Sequence, residues 1–282
     1  MPLEKRGLGG ITLLGRYHHA SAQEGLAEHI HENAIEICFL VKGRQTYWLK
    51  EQKYRLKGGD VFMTLPKQRH GSGGDPQEKG ILYWLWVTKP RGNTLLGLPR
   101  EQSTAILDSL QKIESPHFRG AWEMKADLDA ITTLYAEPPT PLNAFALANR
   151  VGAFLKKVIT CASEAAPKTD SRSFALIAQY IESNLTEALS IPRLAAKAGL
   201  SDARFKAWFK QEAGVPPGEY VLRAKVEEAQ RRLRKKNATV TEIAYDLGFS
   251  SSQYFATVFK RFTLERPIDF RKDNGLNADN TP

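Results

Sequence analysis

The chain has 282 residues, with 40 Lys and Arg against 31 Asp and Glu, a formal net charge of +9, and 42% hydrophobic and 25% charged residues. That length allows two domains of ordinary size, the composition excludes a disordered or fibrous chain, and the positive balance suits a polyanionic partner. Two cysteines, Cys38 and Cys161, stand in no metal or redox spacing, Met1 to Gly15 carries no signal-peptide run, and the longest apolar run, 81–87, is far too short to cross a bilayer, so a cytoplasmic protein without membrane contact is expected.

In chain order, 11–87 reads as short strands cut by turn signals. Strands are expected at 36–41, 45–49, 54–56, 61–65 and 82–87, with breaks at Lys42-Gly43, Gly58-Gly59-Asp60, Pro66 and 71–76. Regular short strands separated by glycine point to an antiparallel barrel or sandwich. After Pro99 the period changes. Segments 101–114, 121–135 and 142–164 are expected to be helical, the last with Ala146, Val151, Phe154, Leu155 and Val158 at helical spacing. Helices this apolar need a partner, which packing on the barrel or self-association would supply. The polar stretch 165–172, containing Pro167, reads as a linker. Beyond it, helices are expected at 174–185, 191–198, 201–213, 217–235, 240–247 and 251–262, with a last one from Pro267. The organisation is then a barrel over 1–98, a helical dimerisation region over 99–165, a linker over 166–172, an all-α domain of seven helices over 173–273 and a flexible tail over 274–282. The fold class is α+β in two domains.

The C-terminal part spells one pattern twice. Leu194-Ala195, Gly199-Leu200-Ser201, Phe205 and Phe209-Lys210 recur as Ile243-Ala244, Gly248-Phe249-Ser250, Phe255 and Phe259-Lys260. Ala allows two short helices to cross closely, Gly supplies the positive φ of a tight turn, Ser is placed to cap the next helix, and two Phe one turn apart face the core. This is a helix-turn-helix written twice, which implies DNA reading. Between Arg193 and Lys236 there are twelve Lys and Arg against five acids, a net +7. The helix at 217–235, with Leu222, Val226, Ala229 and Leu233 as its buried stripe, would span roughly 28 Å. Successive major-groove faces lie about 34 Å apart, so it can hold two recognition helices against neighbouring grooves.

These residues resemble a known family. The span 174–272 is similar to the AraC/XylS-type DNA-binding domain of bacterial transcription regulators, through Ile243-Ala244, Gly248-Phe249, Tyr254-Phe255, Val258-Phe259-Lys260, Pro267 and Phe270-Arg271. It departs from the family at Leu264, usually Gly, at Arg266, usually Thr, and at Lys225, commonly Arg. The N-terminal part is similar to the cupin-like sensor domains such regulators carry, with His29-x-His31, Glu36, Gly43, Gly59-Asp60, Pro66 and His70 in cupin order. The resemblance implies a non-enzymatic transcription regulator: a homodimer that binds double-stranded DNA, meets RNA polymerase and senses a small molecule in its barrel. A sugar or related polyol suits the polar and aromatic barrel and family habit.

By the same match, base edges fall to Ala203, Lys206 and Ala207 in the first recognition helix, with Arg204 and Lys210 placed for phosphates or bases. In the second helix Ser252, Gln253, Ala256 and Thr257 are the candidates, with Ser251 and Lys260 at the backbone. Gln bonds adenine, Lys favours guanine, and Ala or Thr meets a thymine methyl. In the barrel, His29, His31, Glu36 and His70, with Trp48 and Trp84, are the effector candidates. Three readings of the histidine cluster stay open: effector contacts without metal, a centre for Zn²⁺, Fe²⁺ or Mn²⁺, and a satisfied polar cluster. No other cofactor is expected. Two rival functions remain, a metal-dependent cupin enzyme fused to a DNA-binding domain, and a constitutive DNA-binding protein whose barrel only dimerises.

Overall fold

A computed structural model describes residues 1–90, 94–164, 171–235 and 238–276. Most of the linker expected at 166–172 and the end of the tail expected at 274–282 lie outside them. The chain forms two compact units: Met1–His18, Gly25–Asp75 and Gly80–Pro167 build the first, and the residues from Lys168, with His19–Glu24 and Pro76–Lys79, build the second.

The first unit contains β1 (Ile11–His19), β2 (Ala34–Leu49), β3 (Gln52–Lys57), β4 (Asp60–Thr64), β5 (His70–Gly71), β6 (Gly80–Thr88), α1 (Arg100–Gln111), β7 (His117–Arg119), α2 (Met124–Ala136) and α3 (Pro141–Ser163). The sheet runs β1-β6-β2-β4-β7, with β3 and β5 also on β2; β2 pairs antiparallel with β3, β4, β5 and β6. The break expected at Lys42-Gly43 is instead a register shift between Leu40 and Lys42 inside one sixteen-residue strand. A bulge of this kind bends a strand without ending its pairing, so the first half of β2 joins β4 and β6 while its second half joins β3 and β5. Strands β1, β5 and β7 were not among the expected elements. Two of them are only two and three residues long, too short for a periodic signal.

Alternation along β2 sorts two cores. Ile35, Ile37, Phe39 and Val41 pack with Tyr83 and Leu85 of β6, Leu128 and Ile131 of α2, and Val151, Phe154, Leu155 and Val158 of α3. Each of those four α3 residues is at most 1% exposed, and burial of such a side chain is worth about 1.5–3 kcal/mol. That is enough to decide that α2 and α3 cover the sheet. The intervening residues, Cys38 and Leu40, join Tyr47, Leu49, Leu56, Phe62 and Leu82 in a second cluster between the two halves of the sheet, which is the interior of the unit.

The second unit contains α4 (Ser171–Ser183), α5 (Ile191–Lys197), α6 (Asp202–Ala213), α7 (Pro217–Arg234), α8 (Val240–Asp246), α9 (Ser252–Thr263) and α10 (Pro267–Leu276). Its core takes residues from every one of the seven, including Phe205, Phe209, Phe255 and Phe259 at 0% exposed. The two pairs α5–α6 and α8–α9 repeat one design. Ala195 and Ala244 are buried at the crossings, and the turns place Gly199 at φ +67° and Gly248 at φ +68°, the left-handed region where a Cβ is costly. Capping differs from expectation. Ser201 stands at the N-cap of α6 without a side-chain bond, while α9 is capped by Ser251 rather than Ser250, its hydroxyl accepting from the Tyr254 amide. The long helix α7 has eighteen residues, and its buried face is wider than the expected stripe: Leu222 is half-buried, while Tyr220, Val221, Arg223, Ala224 and Lys225 are buried beside Val226, Ala229 and Leu233.

Leu264 explains a departure from the family pattern. It closes α9 at φ +72°, the conformation Gly214 adopts at the end of α6 with the same φ. A left-handed non-glycine residue costs about 1–2 kcal/mol; the α9 cap bond from the Leu264 amide to the Lys260 carbonyl survives it.

Candidate nucleic-acid interface and interior site

The recognition faces follow from helical period. With Phe205 and Phe209 in the core, α6 turns outward Asp202, Ala203, Arg204, Lys206, Ala207 and Lys210, all exposed. On α9, Gln253, Thr257 and Lys260 are exposed, and Ser251, Ser252 and Ala256 are half-buried. Local bonds refine what each offers. The Thr257 hydroxyl donates to the Gln253 carbonyl at 3.0 Å, leaving its methyl as the outward group. The Ser252 hydroxyl donates to Gln253 Oε1 at 3.3 Å, and the Ser251 hydroxyl oxygen is engaged in the cap. Tyr254, 46% exposed, extends the α9 face; in the sequence it stood out only as half of a Tyr-Phe pair. Each helix therefore presents small and polar groups flanked by cations, a surface suited to groove edges and phosphates.

In the first unit four predicted residues converge. His29 and His70, forty-one positions apart, are tied by reciprocal backbone bonds of 2.9 and 3.0 Å. His31 and Glu36 reach the same point from the approach to β2 and from its start, and one donor atom from each of the four lies within 4.8 Å of the others. Glu36 Oε2 is 3.0 Å from His70 Nε2 and 3.7 Å from His31 Nε2. Its Oε1 accepts from Trp86 Nε1 at 2.9 Å. Burial alone would raise the Glu36 carboxyl, but His31, His70 and Trp86 outweigh it and hold it well below the usual carboxylate range. Burial lowers His70, and the Glu36 carboxylate and Gln68 carbonyl more than reverse that, leaving it raised.

Trp86 was missed as a site residue. Its signal was available, because alternation from Trp84 puts it on the same face of β6. Trp84 packs among the interior residues, and Gly15 makes room for it, since a Cβ there would lie 2.0 Å from the indole. Trp48 does not join the histidines. Tyr47 and Leu49 beside it point inward, so Trp48 projects from the other face and lines a separate cleft of about 450 Å³ with 25–28 and 71–74. Three buried polar atoms on or near the inward face have no hydrogen-bond partner: His31 Nε2, Thr64 Oγ1 and Gln45 Nε2.

The AraC-like ligand binding domain family matches residues 14–144, and a helix-turn-helix domain family matches 194–273. The chain belongs to the AraC family of transcription regulators. It pairs the family's ligand-binding domain with its DNA-binding domain, and its transcriptional activity is under effector control. It is 26% identical over 255 residues to the HTH-type transcriptional activator RhaS of Salmonella typhimurium, covering 89% of each chain. The RhaS of Salmonella schwarzengrund matches with the same identity and coverage. Among solved structures, the DNA-binding domain of AdpA in complex with a target DNA is 25% identical and covers 39% of this chain and 98% of its own, with a TM-score of 0.37. ToxT from Vibrio cholerae covers 92% of this chain and 97% of its own at 13% identity and TM-score 0.37. Among the described residues no helix is long and apolar enough to cross a membrane.

Proposed function

We propose that this family member is a one-component cytoplasmic switch in which a neutral polyhydroxylated molecule, a sugar or close relative, binds beside His29, His31, Glu36 and His70. Binding changes how a homodimer presents α6 and α9 to DNA. The barrel is a sensor rather than a catalyst, Trp84 and Trp86 give it aromatic faces, and the regulator activates transcription, as the RhaS relatives do by name, through its own contact with RNA polymerase. The observation that carries the reading is the repeated pair of turns, each releasing a helix whose outward face is small, polar and cationic. The unpartnered Thr64 and Gln45 groups support a ligand with several hydroxyls, because such groups are costly to leave unsatisfied. An effector acts only if it prefers one arrangement of the dimer.

Base edges fall to Ala203, Lys206, Ala207, Ser252, Gln253, Ala256 and Thr257, and phosphates to Arg204, Lys210, Ser251 and Lys260. Gln253→Ala should weaken binding to the correct operator by about 1–3 kcal/mol and relax preference at one base pair. Fluorescence anisotropy on operator variants reads this out, and an equal loss on every sequence would make Gln253 a backbone contact instead. Binding overall should weaken steeply with salt.

The dimer is assigned to α3, where Leu142 and Phe145 are 76% and 65% exposed and Ala146, half-buried one turn on from Leu142, continues the stripe. Apolar groups this exposed mark interaction surfaces. Phe145→Glu should give a monomer in sedimentation velocity with unchanged circular dichroism; an undisturbed dimer would assign the contact elsewhere.

A further inference from the structure

We infer that the first unit carries a second ligand site, apart from the histidine cluster: the cleft beside Trp48 binds a small neutral polyhydroxylated molecule through Trp48 Nε1 and Ser72 Oγ. The inference does not depend on what occupies the interior.

The cleft encloses about 450 Å³ and is walled by 25–28, Trp48 and 71–74, a size that suits small-molecule sites. None of its lining residues belongs to the cluster of His29, His31, Glu36 and His70. Its walls are fixed before any ligand arrives. Gly71 stands opposite Trp48 in the β2–β5 register, the Ser72 amide donates to the Leu26 carbonyl at 2.9 Å, and the His29–His70 bridge continues the same pairing. A preformed wall spares a ligand the cost of ordering it.

Two donors are stranded there. Ser72 is fully buried, yet its hydroxyl finds no hydrogen-bond partner among the described residues, and the same holds for the buried Trp48 Nε1. A buried polar group left unsatisfied destabilises the free protein, so two in one cleft call for a partner from outside. Glycines keep the space beside both atoms clear. A Cβ on Gly25 would lie 2.7 Å from Ser72 Oγ, and one on Gly73 would lie 2.4 Å from Trp48 Nε1.

The same groups name the ligand class. An indole N–H only donates and a serine hydroxyl can donate, so the ligand brings oxygen acceptors. The charges around the cleft are matched. Glu28, in its wall, pairs with Arg69 at 3.3 Å, and Lys53, 5.5 Å from the centre of the Trp48 ring, pairs with Asp75 at 2.7 Å. No net charge remains to draw in an ion. The indole, Leu26 and bare glycine backbone offer apolar surface to C–H groups. Oxygen acceptors on an uncharged C–H frame describe a sugar or related polyol.

The test is calorimetric titration of the full chain with glucose, galactose, xylose, arabinose and rhamnose, repeated on Ser72→Ala and Trp48→Phe. At least one sugar should bind, and each substitution should weaken that binding about 10-fold, the effect of losing one hydrogen bond. Ser72→Ala also removes an unsatisfied group, so its Tm without sugar should equal or exceed the parent's. A hydroxyl already bonded inside the protein would instead lower it. Circular dichroism checks the fold of Trp48→Phe, and if that variant fails to fold, Ser72→Ala decides alone. No binding by any of the five sugars, unchanged affinity in either folded variant, or a lowered Tm in Ser72→Ala overturns the site. Binding that survives both substitutions overturns it too and leaves the interior reading standing.

Discussion

Phe209→Ala is expected to cost the C-terminal unit about 3–5 kcal/mol, the range for emptying a large aromatic site in a packed core. Phe209 is fully buried at the junction of α4, α6 and α7, with ring centroids 5.4 Å from Phe174, 5.4 Å from Phe205 and 5.3 Å from Tyr220. Tyr220, edge-on, and Phe174 and Phe205, tilted, add ring–ring attraction to the area term, and rigid helices on each side limit collapse into the cavity. Whole-domain stabilities are about 5–15 kcal/mol, so the variant should lose most operator binding at 37 °C without any change on the DNA-facing surface. Urea unfolding followed by far-UV circular dichroism measures the cost, with Lys206→Ala as the companion that spares the fold and weakens DNA binding. A Phe209→Ala midpoint equal to that of the parent would refute this account of the core.

The second large effect belongs to Asp60, at the turn into β4. Its carboxylate accepts from the Lys57 amide at 2.9 Å, from His117 Nε2 at 3.0 Å and from Arg119 Nη1 at 2.9 Å. These bonds fasten β7 to the β3–β4 turn. Burial alone would raise its carboxyl, but His117, the Lys57 amide and Arg119 prevail and hold it below the usual carboxylate range. Asp60→Ala leaves both basic side chains without their shared acceptor. Breaking a buried pair costs about 3–5 kcal/mol, and the lower end applies because His117 and Arg119 are 28% and 21% exposed. The pH dependence has a definite sign. A carboxyl lowered by folding contributes its full stability above the ordinary Asp value of about 4 and loses it as pH falls through the lower folded value. Thermal melts from pH 7 to pH 3 should therefore show the parent's advantage over Asp60→Ala shrinking at the acid end. An advantage independent of pH would show that packing, not charge, ties β7 down.

What the chain spells locally, it determined by itself. The double helix-turn-helix was legible because its signals are short-range: Gly199 and Gly248 at turns that need a positive φ, Ala195 and Ala244 at close crossings, and two phenylalanines per recognition helix at a spacing that fixes the outward face. Helix α3 was legible for the same reason, since 3.6-residue periodicity depends only on which face is buried. The interior site was legible in kind but not in composition. His29, His31, Glu36 and His70 were recognisable as residue types in order, yet only the pairing of β5 with the end of β2 and the bridge between His29 and His70 bring them together. The outward turn of Trp48 depends on strand parity across a bulge, where adding one residue reverses every later side chain. The shift between Leu40 and Lys42 is such a case. Long-range register is set by tertiary packing, and nothing in the neighbouring residues encodes it.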